Sequence, residues 1–164
     1  MARFRPDKIF AVLQHHRVDY VTIGGIAATL HGSNLRTGDL DICPSLKANN
    51  LSRLAAALQD LRAKIRAEGA PYGISVSIDA SFLESLQMVN FTTRYGDFDV
   101  SFSPAGTTGF EDLSSDAIEF DLDGLVVPVA CLEDVIRSKE AANRQKDRDQ
   151  LPSLRALLGE IDKT

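Results

Sequence analysis

The segment Asp39-Leu40-Asp41-Ile42-Cys43 constrains the fold more than any other. Carboxylates alternate there with large aliphatic side chains. An extended strand sends residues i and i+2 to one face and their neighbours to the other. Asp39 and Asp41 therefore share a face, with Leu40 and Ile42 behind them facing a core, and Pro44 closes the strand. An earlier apolar run, Tyr20 to Ile23, reads as a second short strand that stops at Gly24 and Gly25.

Around these strands the chain switches repeatedly between the two hydrophobic periods. Residues 6 to 17 read as a helix opened by Pro6, with Ile9, Phe10, Val12 and Leu13 as its stripe. "GIAATLHG" reads as a short helix ended by Gly32. "KANNLSRLAAALQDLRAKIRA" reads as one long helix with Leu51, Leu54, Ala55, Leu58, Leu61 and Ile65 on its buried face. "GISVSI" reads as a strand, and "DASFLESL" as a helical turn capped by Asp79.

Val89 to Thr93 and Asp97 to Phe102 form the arms of a hairpin turned by "RYGD". "GFEDLSSDA" is helical, and a second hairpin turns around Asp123 and Gly124. The last segment is two helices, or one broken near Pro152. The pattern predicts an α/β (α+β) chain, a mixed sheet flanked by helices, as one domain over residues 1–164. Its core spans about 18–130 and its helical tail about 131–160.

A hydrophobic fraction of 44% is enough for a real core, and a net charge of -5 argues against broad, nonspecific duplex binding. No apolar run approaches the roughly 20 residues of a membrane helix, and the N-terminus lacks a signal-like apolar core. The expectation is a soluble, cytoplasmic protein with no membrane partner. Cys43 and Cys131, each in an apolar setting, are expected as reduced thiols.

Two carboxylates on one strand face repel each other unless a cation lies between them. Mg²⁺ suits such a site, since it takes oxygen ligands and keeps waters for a phosphate partner. "GDFDVSF" offers a second pair, Asp97 and Asp99, of which Asp97 adjoins the turn. If the two strands are neighbours, Asp39, Asp41 and Asp99 converge and can hold one or two Mg²⁺ for in-line attack on a nucleoside triphosphate. The alternative is that each pair lies on a solvated edge.

Gly24 and Gly25 either let a phosphate approach a helix start or simply make a tight turn. His31 either meets a phosphate or caps the short helix. Thr37 either orients the loop or touches a phosphate, and Arg36 either neutralises triphosphate charge or is an exposed loop residue. From Arg137 to Arg155, six bases face three acids, Lys139 and Asn143 being i and i+4 neighbours on the helix. That stretch is either a phosphate- or RNA-binding face or a solvated one laced with ion pairs.

Strand, Gly-Gly, short helix, His-Gly-Ser, Thr and Asp-x-Asp, taken together, resemble the nucleotidyltransferase superfamily, the fold of DNA polymerase beta. The nearest resemblance is to small bacterial proteins of the abortive-infection, type IV toxin group. It extends through "LDICPSLKANNLSRLAAAL", "TRYGDFDVSF" and "VPVACLEDVIRSKEAANRQKDRDQLPSL", roughly residues 18 to 158.

The resemblance implies that Asp39, Asp41 and Asp99 are catalytic and bind metal, with Asp99 as general base. It implies that Gly24, Gly25, Thr37, Arg36, Lys139 and Lys146 serve the nucleotide, Lys146 together with Asp147. The implied activity is Mg²⁺-dependent transfer of a nucleoside monophosphate from an NTP to a hydroxyl of RNA (tRNA included), protein or a small molecule. The implied setting is a toxin with a cognate antitoxin protein. Leu35 stands where many relatives carry arginine. Alternative functions are an inactive nucleotide- or partner-binding module on the same fold, and a phosphotransferase.

Overall fold

The computed structural model describes residues 2–163. One eight-stranded mixed sheet organises them, in the order β4-β3-β5-β6-β2-β1-β8-β7. Helix α1 (Pro6–His15) leads into β1 (Tyr20–Ile23), α2 (Gly24–Leu30) and β2 (Asp39–Pro44). Helix α3 (Ala48–Asp60) is followed by β3 (Lys64–Ala67), β4 (Ala70–Ile74) and α4 (Ala80–Glu84). A hairpin of β5 (Met88–Thr93) and β6 (Gly96–Ser101) precedes α5 (Phe110–Ser114). A second hairpin, β7 (Ile118–Leu122) with β8 (Leu125–Val129), leads to α6 (Leu132–Ala142) and α7 (Gln145–Asp162). Among the described residues no helix is long and apolar enough to cross a membrane.

The period-2 patterns read as strands become sheet faces. Along β6, Gly96, Phe98 and Val100 are buried while Asp97, Asp99 and Ser101 are partly exposed. Phe91, Phe98, Leu40, Ile42 and Val100 form one apolar cluster with Ile9, Phe10 and Leu13 of α1 and Leu51, Leu54 and Leu58 of α3. Each such side chain contributes roughly 1.5–3 kcal/mol on burial, so this cluster fixes which strand face points inward. A one-residue slip of β2 or β6 would bury its aspartates, which excludes odd-numbered slips of register.

The inner strands position the carboxylates. β1 runs antiparallel to β2, and β2 runs parallel to β6 with Asp41 beside Asp99 and Asp39 beside Asp97. Helix α2 packs on β1 and β2 and against α6, which in turn packs on α7. Both cysteines are free and buried.

Two expectations need correction, and a third is decided between its alternatives. The helix from Lys47 ends at Asp60, not beyond Ile65, because Arg62 takes a left-handed conformation (φ 54) and residues 64–67 pair with β5. Ile65 fits both patterns, since opposite Phe91 it still packs against the core. The strand expected over "GISVSI" lies earlier, as edge strand β4, where Pro71 is tolerated, and residues 75–78 are not in a strand. Of the two readings of the tail, two helices holds: the break falls at Asn143 (φ 50), and Pro152 lies inside α7. Asn143 has therefore left the helix that carries Lys139.

Candidate functional site

Parallel pairing of β2 and β6 brings oxygens of Asp39, Asp41 and Asp99 within 4.8 Å of one another. The three side chains are partly exposed, at the edge of the buried sheet rather than in free solution. Burial, then the charge of Asp39, pushes the Asp41 carboxyl up from its ordinary range; Asp99, Lys146 and Lys139 pull it partly back. Burial, a hydrogen bond with Asp39 and the Asp41 charge push Asp99 up as well, while Arg66 pulls it down. The three groups thus crowd more negative charge than the site stabilises by itself. A donor set of carboxylate oxygens alone, with no sulfur or imidazole, fits a hard divalent cation such as Mg²⁺.

The loop before β2 serves this cluster directly. The Thr37 hydroxyl donates to the Asp39 carbonyl (3.1 Å) and lies 3.3 Å from its Oδ1, which fixes the entry to the strand. Gly24 has φ +69, and a Cβ there would lie 2.5 Å from Asp41 Oδ2. A Cβ on Gly25 would lie 2.7 Å from the Thr37 hydroxyl oxygen. The double glycine is therefore required by the close approach of Asp41 and Thr37 to the start of α2, whether or not a phosphate binds there.

His31 makes a structural contact instead. Its Nε2 donates to the Ala130 carbonyl (2.8 Å), and its ring meets Phe120 edge-on. Arg36 is exposed and makes no side-chain hydrogen bond or ion pair among the described residues. Leu35 packs, partly buried, against the apolar core.

The turn between α6 and α7 forms the cationic side. Asp147 is 0% exposed and accepts from the Arg144 guanidinium (2.7 and 3.3 Å) and backbone N–H (3.1 Å). Burial raises its proton affinity, but Arg144 and Lys139 outweigh that and hold it below the usual carboxylate range. Lys139 donates to Gln150 Oε1 (2.7 Å) and lies 3.8 Å from Asp147 Oδ1. Lys139, Arg144 and Lys146 all act electrostatically on Asp41 or feel its charge.

The remaining bases of the stretch are engaged elsewhere. Arg137 pairs with Asp112 and Asp134, Arg155 with Glu140, and Arg148 bonds Asn143 and Gln145. The basic face is thus narrower than its sequence suggests.

Arg66 of β3 is the residue that the sequence reading missed. It donates to Asp99 Oδ1 (2.9 Å) and to the Phe91 carbonyl (3.0 Å), and it lies 3.5 Å from Asp97 Oδ2. Taking residues 64–67 as helix hid it, because only a strand beside β5 brings position 66 to the carboxylates.

A mixed sheet flanked by helices, with clustered carboxylates on the parallel β2–β6 pair, is the nucleotidyltransferase fold. The chain is similar in structure to the lincosamide antibiotic adenylyltransferase LnuA in its lincomycin-bound form, with TM-score 0.61, 17% identity and coverage of 94% of this chain and 99% of that one. It is also similar to ANT(2")-Ia in complex with adenylyl-2"-tobramycin, with TM-score 0.59, 15% identity and coverage of 96% and 89%. A third similar structure is a candidate nucleotidyltransferase of Thermotoga maritima, with TM-score 0.54, 16% identity and 97% coverage of both chains. No protein-family model matches the chain, and no curated protein matches its sequence.

Proposed function

We propose that this protein is a nucleotidyltransferase, moving a nucleoside monophosphate from an NTP to a hydroxyl acceptor. The observation that carries this reading is the convergence of Asp39, Asp41 and Asp99 on neighbouring parallel strands. In the reaction, the acceptor oxygen bonds to the α-phosphorus, the α–β bridging P–O bond breaks, and pyrophosphate leaves. Asp99 takes the hydroxyl proton. Asp39, Asp41 and Asp99 would hold Mg²⁺, one ion or two, which would supply positive charge for the phosphoryl oxygens. Thr37 orients Asp39, and Gly24 and Gly25 make room for Asp41 and Thr37. Lys139 and Lys146 face the nucleotide phosphates, with Arg144 and Asp147 fixing that corner, and Arg36 remains free to meet a phosphate from the loop.

The acceptor we favour is a small hydroxyl-bearing molecule. Near end-to-end similarity to LnuA and ANT(2")-Ia, whose structures hold lincomycin and adenylyl-2"-tobramycin, supports that class. An RNA acceptor would instead fit a cytoplasmic toxin held in check by an antitoxin protein. A second reading, a binding module that has lost its chemistry, is favoured by one observation: a guanidinium already occupies Asp99.

Incubation with Mg²⁺ and each of four α-phosphate-labelled NTPs, offered a panel of aminoglycosides and lincosamides or total tRNA, separates these readings. Label on a small molecule, lost in Asp39→Ala, supports the favoured one, and label on tRNA supports the toxin. Nucleotide binding in a calorimeter without label transfer supports the binding module. Product mass distinguishes an added nucleotide from an added phosphate.

A further inference from the structure

Arg66 places a fixed positive charge beside the carboxylate cluster. Its guanidinium is fixed by three oxygens on two strands: the Asp99 carboxylate, the Asp97 carboxylate and the Phe91 carbonyl. The Arg66 side chain is 34% exposed and that of Asp99 only 14%, so their ion pair is shielded more than a surface pair. The backbone pairing of β3 with β5 at Lys64–Thr92 and Ile65–Phe91 holds the arginine there independently of any ligand.

We propose that Arg66 is a built-in competitor for the divalent cation, a positioning residue that neutralises Asp99 and sets the metal affinity of the triad. The inference rests on the reading of Asp39, Asp41 and Asp99 as a metal site. Asp99 engaged by a guanidinium contributes less charge to a bound metal, and a dication at the triad lies within a few ångströms of a fixed positive group. Both effects oppose metal binding and both vanish when the charge at position 66 is removed. A lysine retains the charge on a flexible stem without the planar fork. The contact with the Phe91 carbonyl is a separate, purely structural function of the same side chain.

Mn²⁺ titration followed by electron paramagnetic resonance, on the full chain without nucleotide, measures the effect with no turnover involved. Arg66→Met is expected to bind Mn²⁺ about tenfold more tightly than wild type, because a positive charge beside the dication, largely screened by solvent, is removed. Arg66→Lys is expected to stay within about twofold of wild type because the charge remains. Arg66→Gln, polar and uncharged, is expected to follow the methionine variant and answers for it if that one fails to fold. Equal or weaker Mn²⁺ binding by both neutral variants, with wild-type binding intact, overturns the role of Arg66 and leaves the metal site standing. If neither wild type nor any variant binds Mn²⁺, the metal reading falls and the inference with it.

Discussion

Asp41→Asn tests the crowding of charge at the site. The substitution keeps the shape that Gly24 accommodates and removes one of three carboxylates whose oxygens lie within 4.8 Å. One pair of unit charges at that separation costs about 3.5 kcal/mol at an effective dielectric of about 20. Access of solvent to the partly exposed oxygens, and attraction from Lys139 and Lys146, reduce the net to roughly 1–2 kcal/mol.

Because folding raises the proton affinity of Asp41, its contribution to stability is full below the ordinary carboxylate range. That contribution is lost as the pH rises through the raised value. In metal-free buffer at pH 8 the asparagine variant should therefore melt roughly 2–8 °C above wild type, and the gap should close as the pH falls towards 4. Mg²⁺ should close most of that gap. At ten times its dissociation constant it stabilises wild type by about 1.4 kcal/mol and leaves the variant unchanged. Thermal melts of both proteins followed by circular dichroism at pH 4, 6 and 8, with and without MgCl₂, give these comparisons. A variant that melts below wild type at pH 8, together with a wild type indifferent to Mg²⁺, would refute the view that this cluster awaits a cation.

The glycine pair and the buried acid give further tests. Gly24→Ala places a methyl group against Asp41 and strains a left-handed backbone; chemical denaturation should show a loss of roughly 1–3 kcal/mol, and Mn²⁺ binding should weaken. Gly25→Ala, whose methyl would meet Thr37 instead, should lose similar stability with a smaller effect on Mn²⁺. Asp147→Asn leaves Arg144 and Lys139 without their charged partner at a fully buried position and should cost about 3 kcal/mol in urea denaturation. Since folding lowers the proton affinity of Asp147, that stability is present above the ordinary carboxylate range and lost as the pH falls below it. The difference between variant and wild type should therefore shrink in acid.

The two strands that carry the carboxylates were legible because their patterns admit one physical solution. Asp-Leu-Asp-Ile and Asp-Phe-Asp-Val each place two acids on one face and two large apolar groups on the other, and the hydrophobic cluster then fixes which face is inside. Their adjacency was an inference from the need for a third carboxylate, and the parallel register bears it out. The glycines were legible as an oddity, but their cause was not. Nothing in the local sequence says that Asp41, seventeen residues later, would come within contact of a Cβ at Gly24.

Arg66 was illegible for a different reason. From Leu51 to Ile65 the apolar residues fit a helical stripe without a break, and neither glycine nor proline marks the end at Asp60. Arg62 enters the left-handed region at some local cost, and the hydrogen bonds of β3 to β5 are what offset it. Those partners lie about thirty residues further on, so helix periodicity could not reveal them. The same consideration bears on Leu35. An arginine there would take the place of a side chain packed against the core. The cations nearest the carboxylates come instead from β3 and from the α6–α7 corner. A site whose positive groups are supplied by distant elements can keep its acidic strands recognisable while its charge balance escapes any local motif.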